Sequence, residues 1–574
     1  MSYDLMFKQA NDLYSAGQLD RAEQLYRAVL EAVPENPDVL NMLGLTAQTK
    51  GLHQEAISYF LQAVKSAPNH IALYFNLAVS YQAVQKFAQA ISAYEKVISL
   101  NPNIKETYNN LGAIYECLNQ PQIALQMYQN ALKSDADYVD AKVNIAVLNK
   151  DLNELENLCK KYPFSELAFY YTALHHFEQK DFNKAYEYIL KADEICNNSP
   201  DIKLLKAKIN LLLNNKQSAV EDFSSCINLN PKCVEAWVNL ADCEQNEQYY
   251  LKALDLDPDN IVAHSNYANW LYRNNRTLEA LEEYRKAVII NPDLPELSNN
   301  LALVLKDMAD YERALDLMMN AFVKDFQQKQ YWINIAETLV LFYQTEPEKA
   351  KKIAQKWYDL APSNPFAKHI LSSFNADIKN FDTSYSQELF DLFAETYDQT
   401  MKKIKYAVFD KLSELDIKFS GTVLDLGCGT GEFALHFAND NTKITGVDIS
   451  QNMLNLASKK QLYHNLIKAD ISDFVKKDLK YNFVIALDVF EYVKNIEEIL
   501  SSVKCDTLIF NIEKADSKTK TSELFYNGRI RHNPEYIKNI LLQSDYTDIK
   551  EYELDLRQEN SAPVKGVLFI ARHQ

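Results

Sequence analysis

The sequence predicts two parts, a long helical solenoid followed by an α/β domain with a mostly parallel sheet. A small residue recurs every 34 positions over the first two-thirds of the chain, and the 574 residues include only 11 glycines and 16 prolines. Near the C-terminus, the stretch Val423–Gly431 runs from a short apolar strand through three glycines into a helical pattern. A strand, a glycine-rich turn and a helix in this order form a cradle for a nucleotide-like ligand.

Length and composition limit the classes of protein. A chain of 574 residues should hold more than one domain, and 47% hydrophobic residues is ordinary for a globular protein. The formal net charge of −18 would repel phosphate backbones, so we expect no nucleic-acid partner. The eight cysteines have no CxxC spacing, which favours reduced core residues over a metal site or disulfides. No signal pattern or membrane-length apolar run is visible, so we expect a cytoplasmic protein without membrane insertion.

The repeat has the marks of two antiparallel helices per unit. A small residue at the eighth position, followed by an alanine twelve positions later, allows the two helices to cross closely. The pattern resembles the tetratricopeptide (TPR) repeat and implies about ten helix pairs, in a solenoid over residues 1–363 with a capping helix and linker at 364–385. Residues 147–163 predict a lone irregular helix, and the unit from Val234 is short, which predicts a clipped hairpin. The small residues include Ala10, Gly44, Ala78, Gly112 and Ala146.

Asparagine occupies the sixth position of several units, on the helix expected to line the inner face. An amide carries both a donor and an acceptor, so these side chains would clamp the backbone of an extended peptide or bridge neighbouring units. The arrangement resembles the asparagine ladder of protein O-GlcNAc transferases, which implies peptide binding. Both interpretations remain open. The residues are Asn76, Asn110, Asn144, Asn239, Asn266, Asn300 and Asn334.

The spacing around the glycine turn selects its ligand. The third glycine of Gly427, Gly429 and Gly431 comes one residue too early for a dinucleotide site, and a P-loop lysine is absent. Asp425 and a second carboxylate after the turn suit an amino group and a sulfonium. Asp448 ends the next strand, where a carboxylate would accept both ribose hydroxyls. These features favour S-adenosylmethionine (SAM).

The turn resembles the first motif of class I SAM-dependent methyltransferases, and three further stretches match that family in order. They are residues 446–453, 468–471 and 486–492. The resemblance implies cofactor contacts for Ile449, Met453, Asp470 and Ile471. An amphipathic helix over 386–398 is similar to the one that precedes the core in this family, which implies that Tyr397 closes over the cofactor. The alternative is that this tyrosine packs its helix on the sheet.

Strand and helix alternate from residue 421 onward, which predicts a mostly parallel sheet within a domain at 386–574. Seven strands with a final hairpin match the Rossmann-like class I methyltransferase fold. The whole chain resembles a bacterial group of proteins that carry TPR repeats before such a domain. The strands are expected at 422–426, 443–447, 464–468, 482–487, 506–512, 547–554 and 564–571.

Candidate catalytic residues follow the fourth and fifth strands. SAM carries its own reactivity, so the enzyme mainly aligns a nucleophile and removes its proton. Asp488 and Glu491 are expected beside the reacting methyl group, and His532 is a candidate base near neutral pH. Arg529 and Arg531 are candidates to hold a carboxylate or phosphate of the substrate. The arginines have an alternative role as surface charges or contacts to the repeats, and His532 has one as a helix cap.

We therefore expect a SAM-dependent methyltransferase whose solenoid recruits a protein or peptide. One alternative is a small-molecule or glycan-precursor methyltransferase that uses its repeats for assembly. Another is a TPR scaffold with a non-catalytic SAM-binding domain, against which the intact Asp425, Gly427, Gly429 and Asp448 count.

Overall fold

The computed structural model describes residues 3–381, 383–516, 518–559 and 562–573. Over these residues the chain forms two compact units, Met1–Pro258 and Asp259–Gln574. Of the two sequence-based boundaries, residue 363 lies in a turn between two helices and residue 386 lies inside the helix Thr383–Phe393, and the division stays a prediction. The last helix pairs of the repeat region lie in the same compact unit as the sheet.

The first unit is a stack of eight helix pairs in its described part. Small residues let the two helices of a pair meet: a β-carbon at Gly44 would collide with the ring of Phe60. The helices are α1 Tyr3–Ser15, α2 Leu19–Ala32, α3 Pro37–Thr49, α4 His53–Ser66, α5 Ile71–Ala83, α6 Phe87–Leu100, α7 Lys105–Cys117, α8 Pro121–Ser134, α9 Val139–Leu148, α10 Leu152–Lys161, α11 Glu166–Glu178, α12 Phe182–Ile195, α13 Pro200–Leu212, α14 Lys216–Leu229, α15 Val234–Glu244 and α16 Glu247–Leu256.

Two irregular units of this stack were expected from the sequence, and only one has the expected form. The prediction of a lone helix at 147–163 is wrong, because α10 packs against α9 as the second helix of a short pair. The helix itself was expected, and its pairing was missed because α9 and α10 have only ten residues each and the unit departs from the 34-residue period. The clipped hairpin is confirmed: α15 and α16 have 11 and 10 residues and turn at Gln245, whose φ is 54°.

The second unit begins with three more helix pairs and a capping helix. One hydrophobic cluster runs from Ala268 to Tyr385 and joins these helices to the first helix of the following domain. Leu389 and Phe393 of that helix pack against the same cluster. The helices are α17 Ile261–Arg273, α18 Thr277–Ile290, α19 Pro295–Asp307, α20 Tyr311–Lys324, α21 Lys329–Thr345, α22 Pro347–Leu360 and α23 Pro365–Phe374.

The predicted seven-stranded, mostly parallel sheet is confirmed. Its order is β3-β2-β1-β4-β5-β9-β8; the first five strands are parallel, and β9 is antiparallel to both neighbours. The carboxyl ends of the parallel strands therefore share one edge. The strands are β1 Gly421–Leu426, β2 Thr442–Asp448, β3 Asn465–Lys468, β4 Lys480–Ala486, β5 Lys504–Glu513, β6 Ser522–Leu524, β7 Ile530–His532, β8 Asp548–Glu559 and β9 Ala562–Arg572.

A separate hairpin of β6 and β7 follows β5, in a region where no strand was expected. Strands of three residues are too short for an alternating pattern to reveal them.

Eight helices complete the domain. A 3-10 turn at Ala394–Thr396 divides the helix expected over 386–398. No helix in the described part of the chain is both long and apolar enough to cross a bilayer. The helices are α24 Thr383–Phe393, α25 Tyr397–Lys403, α26 Val408–Glu414, α27 Glu432–Phe437, α28 Gln451–Lys459, α29 Ile471–Phe474, α30 Ile496–Ser502 and α31 Pro534–Gln543.

Candidate active site

The glycine-rich turn lies between β1 and α27 at the carboxyl edge of the sheet. Gly427, Gly429 and Gly431 have φ values of 67°, 52° and 91°, which side-chain-bearing residues rarely adopt. A β-carbon at Gly427 would lie 2.5 Å from Cγ2 of Val489. Glycine at 427 thus allows Val489 to pack against the turn, and Gly427 and Gly429 present their backbone to a cavity.

Asp448, at the end of β2, receives backbone hydrogen bonds on both carboxylate oxygens. Gly429 N–H donates to Oδ2 at 2.9 Å and Ser450 N–H donates to Oδ1 at 2.8 Å. Burial raises the pKa of Asp448 to about 6, although these backbone donors act in the opposite direction. Each oxygen keeps acceptor capacity for a further donor.

Asp391 on α24 fixes the segment that directly follows Asp448. Its Oδ1 accepts from the Ser450 hydroxyl at 2.5 Å and from the Asn452 N–H at 3.2 Å. The Asn452 amide donates in turn to the Asp391 carbonyl at 2.9 Å. Helix α24 is thereby held over the carboxyl end of β2.

Asp425, at the end of β1, accepts a hydrogen bond from a tyrosine below the glycine-rich turn. The Tyr463 hydroxyl donates to its Oδ2 at 2.6 Å. Burial raises the pKa of Asp425 to about 7, and the tyrosine hydrogen bond lowers it by less. The second carboxylate expected to attract the ligand, Glu432, pairs with Lys460 at 2.6 Å, so its charge is already balanced within the protein.

A cavity of about 320 Å³ lies over these strand ends. Tyr397 borders it near the turn, since a β-carbon at Gly429 would lie 3.9 Å from Cε1 of its ring. Two predicted cofactor contacts lie off this lining: Asp425 faces a neighbouring cavity, and Gly431 forms the N-cap of α27. The predicted residues on the lining are Tyr397, Gly427, Gly429, Asp448, Ile449, Met453, Asp470 and Ile471.

Two further cavities meet the first one at Tyr397 and Asp488, which line all three. The second, of about 500 Å³, lies beside Asp425 and α25. The third, of about 450 Å³, is bounded by α21, α23, α24 and the β6–β7 hairpin region. We call the third one the repeat-side cavity. The site thus joins a ligand pocket over the sheet to a space bounded by the last repeat.

Asp488 is held by a buried arginine that sequence reasoning missed. Arg557 is 1% exposed, and its Nη1 lies 2.8 Å from Oδ1 of Asp488. The same guanidinium pairs with Glu513 and with Glu559, the latter at 2.7 Å. Burial raises the pKa of Asp488 and the Arg557 charge opposes that rise. The expected strand ended at residue 554, so Arg557 carried no signal as a site residue.

Asn511 of β5, also missed, connects the other candidate carboxylate to the backbone of Asp488. Its Oδ1 accepts from the Asp488 N–H at 2.9 Å and from the Tyr406 hydroxyl at 3.1 Å. Its Nδ2 donates to Glu491 at 3.4 Å. Glu491 is fully buried, and burial raises its pKa well above the ordinary value. Glu491 is therefore a buried group below the site with a raised pKa, whereas Asp488 borders the cavities.

His532 lies in β7 with its imidazole fully buried. Nε2–H donates to the Phe490 carbonyl at 3.0 Å, and the Ser522 hydroxyl donates to Nδ1 at 2.8 Å. Burial lowers the pKa of His532 to about 4. The geometry gives this residue a structural role, because a neutral ring with both nitrogens bonded has no exposed atom to accept a proton. The expected helix cap is Asn533 instead.

Arg529 and Arg531 both take part in the same charge cluster as Arg557. Arg529 Nη1 lies 3.1 Å from Glu513 and also pairs with Glu559. Arg531 Nε lies 3.5 Å from Glu513, and its guanidinium sits 3.4 Å from the centre of the Phe525 ring. Both arginines therefore have protein partners where a substrate anion was expected.

Several ladder asparagines bond to the protein itself. Three asparagine pairs bridge adjacent units: Asn76 to Asn41 at 3.0 Å, Asn144 to Asn109 at 2.9 Å and Asn334 to Asn299 at 2.8 Å. A fourth bridge runs from Asn110 to the Tyr94 hydroxyl of the preceding helix pair, whereas Asn239 donates to the Glu235 carbonyl of its own helix. Asn266 and Asn300 are half-buried. These contacts favour the bridging interpretation for the bonded members.

Known protein families match both parts of the chain. Residues 7–71, 71–104 and 93–126 match tetratricopeptide repeats, and residues 423–505 match the methyltransferase domain family. The chain joins tetratricopeptide repeats to a methyltransferase domain. The match to that domain covers the glycine turn, Asp448 and Asp488.

Relatives of the methyltransferase domain are distant. YqeM of Bacillus subtilis (strain 168), provisionally named a methyltransferase, is 27% identical over 160 residues, which cover 26% of this chain and 64% of the relative. The provisionally named methyltransferase GWCH70_2453 of Geobacillus sp. (strain WCH70) is 37% identical over 76 residues, 12% of this chain and 31% of the relative. Both matches span less than two thirds of the relative's length.

The TPR region also has a counterpart among solved structures. A tetratricopeptide repeat protein from Parabacteroides merdae is 20% identical with a TM-score of 0.37, covering 42% of this chain and 99% of that chain. At this low score the fold assignment rests on the element order described above.

Proposed function

We propose that the C-terminal domain is a class I SAM-dependent methyltransferase. The observation that carries the proposal is the doubly hydrogen-bonded Asp448, which lines one cavity together with Gly427 and Gly429 of the glycine turn. The acceptor capacity left on both Asp448 oxygens suits the two ribose hydroxyls of SAM. Met453, Ile449 and Ile471 supply an apolar lining for an adenine ring in the same cavity.

When bound, SAM supplies an electrophilic methyl group on sulfur, and the chain's own residues align the acceptor. Asp488 borders all three cavities, and its backbone is fixed with φ 57° by the bond to Asn511. Arg557 holds its carboxylate in place at 2.8 Å. Asp488 is thus the residue best placed to orient an acceptor or receive its proton, and Tyr397 lies where the three cavities meet.

The acceptor in this proposal is presented by the solenoid, as a protein or peptide recruited along its inner face. Support comes from α21, whose Ile333, Glu337 and Val340 line the repeat-side cavity. These positions follow the helical spacing that places side chains on one face. A segment lying along that face of the last repeat would end beside Asp488.

A small-molecule acceptor is the second candidate, favoured by the amide bridges. The Asn334 amide is 3% exposed and bonds to Asn299, which leaves it unsuited to clamp a peptide backbone. In that case the repeats assemble the enzyme with partners, and the acceptor enters the repeat-side cavity by itself.

The test combines cofactor binding with acceptor search. Calorimetry on the full chain should show SAM binding that Asp448→Ala abolishes and that Asp440→Ala, at an exposed aspartate, leaves unchanged. Labelled SAM is then incubated with protein and small-molecule fractions of a lysate. Label in a discrete protein supports recruitment, and label only among small molecules supports the second candidate. Absence of SAM binding would reject the proposed function.

A further inference from the structure

We propose that the repeat-side cavity is the acceptor site and accepts an uncharged molecule with an apolar, ring-bearing body. In this arrangement the last TPR unit forms a specificity-determining wall of the active site. The inference rests on the proposed methyl transfer and, of its two candidate acceptors, takes the small molecule and adds its chemical class. It follows from the residues that form the cavity wall, from the ion pairs of its charged side chains, and from its connection to the cavity of about 320 Å³ over the strand ends. We call that cavity the cofactor cavity.

The wall is composite and mainly apolar. Helix α21 contributes Ile333, Ala336 and Val340, which recur at spacings of three and four and so share one face. The opposite wall comes from the methyltransferase domain, through Leu389, Phe390 and Phe393 of α24. Large flat side chains in this wall suit a ring system that stacks against them.

The charged side chains on this lining already have protein partners. Glu337 pairs with Lys306 at 3.3 Å, and Asp488 pairs with Arg557 at 2.8 Å. Arg529 bonds to Glu513 and Glu559. Among the ion pairs, three arginines (Arg529, Arg531 and Arg557) face three carboxylates (Asp488, Glu513 and Glu559), and the neighbouring Glu491 carboxyl has a pKa raised by burial, which disfavours its charge. The cluster is therefore balanced before any substrate enters.

A charged acceptor would gain little binding free energy in such a cavity. It would lose its hydration while finding no unbalanced counter-charge, and the removal of an ion from water is costly unless a new partner compensates for it. An uncharged hydroxyl, in contrast, can bond to Asp488 or to the hydroxyls of Tyr397 and Tyr492 on the same lining. These three residues also line the cofactor cavity, so a polar group on the ring would lie where the methyl is transferred.

The experiment uses three probes on one naphthalene frame: 2-naphthalenemethanol, 2-naphthoate and 2-naphthylmethylammonium. Their dissociation constants are measured by saturation-transfer NMR on the full chain saturated with S-adenosylhomocysteine. We expect the alcohol to bind at least tenfold more tightly than either ion. Equal or tighter binding of the carboxylate would overturn the inference and return Arg529 to a substrate-binding role. Equal or tighter binding of the ammonium would overturn it in favour of Asp488 or Glu337 as a cation site.

Two variants of α21 locate the binding. Val340→Trp should weaken the alcohol at least tenfold, whereas Val323→Trp, the same change at a 47% exposed position of α20, should not. Val340→Thr keeps the shape and should weaken binding about threefold; it replaces the tryptophan variant if that one loses its thermal transition. Unchanged alcohol binding in the folded Val340 variants would overturn the inference.

Cofactor affinity distinguishes a failure of this inference from a failure of the proposed function. The Val340 variants should bind S-adenosylhomocysteine within twofold of the wild type, because Val340 lies outside the cofactor lining. If the wild type does not bind S-adenosylhomocysteine, the proposed function fails. The probe titration without the nucleoside then still decides whether the cavity prefers an uncharged ring.

Discussion

His369 of α23 donates from Nε2 to the carbonyl of Gly528 at 2.9 Å and so connects the capping helix to the β6–β7 hairpin. The imidazole is stacked on Tyr385 with ring centres 3.6 Å apart. Gly528 has φ 86°, and the residue after it is Arg529 of the charge cluster. One contact therefore connects the repeat side of the second unit to the hairpin that borders the repeat-side cavity.

Gly528→Ala should destabilise the second unit by about 2 kcal/mol, since a β-carbon would lie 2.5 Å from Nε2 of His369 at a positive φ. Gly51→Ala, at φ 75° with nothing within 4 Å, is the control for the backbone strain alone and should cost about 1 kcal/mol. Calorimetric transitions of both variants measure the difference. Equal losses of stability in the two variants would show that His369 can move away from the new β-carbon without an energetic cost.

Cofactor affinity should depend on the ionisation of Asp448. Only the carboxylate can accept both ribose hydroxyls while keeping its two backbone bonds, and burial raises its pKa to about 6. SAM affinity should therefore fall about tenfold per pH unit below about pH 6 and level off above about pH 7. Calorimetry across this range measures the profile, and Asp448→Asn should bind weakly without that step. A wild-type profile parallel to that of the variant would contradict the role of Asp448.

Asp425 should make the ligand-free protein less stable as pH rises. Its folded pKa is about 7 against an ordinary value of 3.8, so the folded state holds its proton more tightly than the unfolded chain. The contribution is favourable at low pH and is lost between about pH 4 and pH 7, by at most about 4 kcal/mol. Asp425→Asn should flatten this part of the curve of melting temperature against pH. Asp440→Asn, at an exposed position, should leave the slope as it is.

Arg557→Met should be among the costly single substitutions in the domain. Three carboxylates would lose their shared counter-charge in a buried place, at a cost of about 3–5 kcal/mol near neutral pH. The cost should shrink as pH falls, because protonated carboxyls need no counter-charge. Arg572→Met removes a 42% exposed partner of Asp548 and should cost less than about 1 kcal/mol. Similar costs for the two variants would argue against a buried ion cluster.

Asn334→Ala should lower stability through the lost bridge to Asn299. Both amides are buried, so the remaining one would lack its partner, at a cost of about 1–2 kcal/mol. Asn239→Ala removes an amide that bonds to its own helix at Glu235 and should cost less. Denaturant unfolding of both variants measures the two costs. If Asn334→Ala is stable but loses capture of a partner protein, the ladder binds peptide after all.

Local patterns determined much of the fold. Crossing positions such as Ala10 and Gly44 must be small wherever two helices meet, so their 34-residue period marks the solenoid before any contact is known. Likewise, a strand, three glycines and a helix are consecutive in the chain, and their dihedral requirements lie in the residues themselves. The seven strands of the large sheet were predicted within a few residues because their apolar patterns also lie in consecutive residues. The three-residue strands β6 and β7 are too short to show such a pattern.

The surroundings of the candidate site depended on tertiary structure. Arg557 and Asp488 are 69 residues apart and His369 and Gly528 are 159 apart, and no periodicity relates such pairs. The sequence placed Arg529, Arg531 and His532 as substrate or catalytic candidates by their chemistry alone. Folding surrounds them with carboxylates, a serine and a carbonyl, and it sets α21 beside the sheet's carboxyl edge. The chemistry and local spacing of the residues thus indicated a cofactor. Ion pairs between residues distant in sequence determine which charged side chains remain available to a substrate.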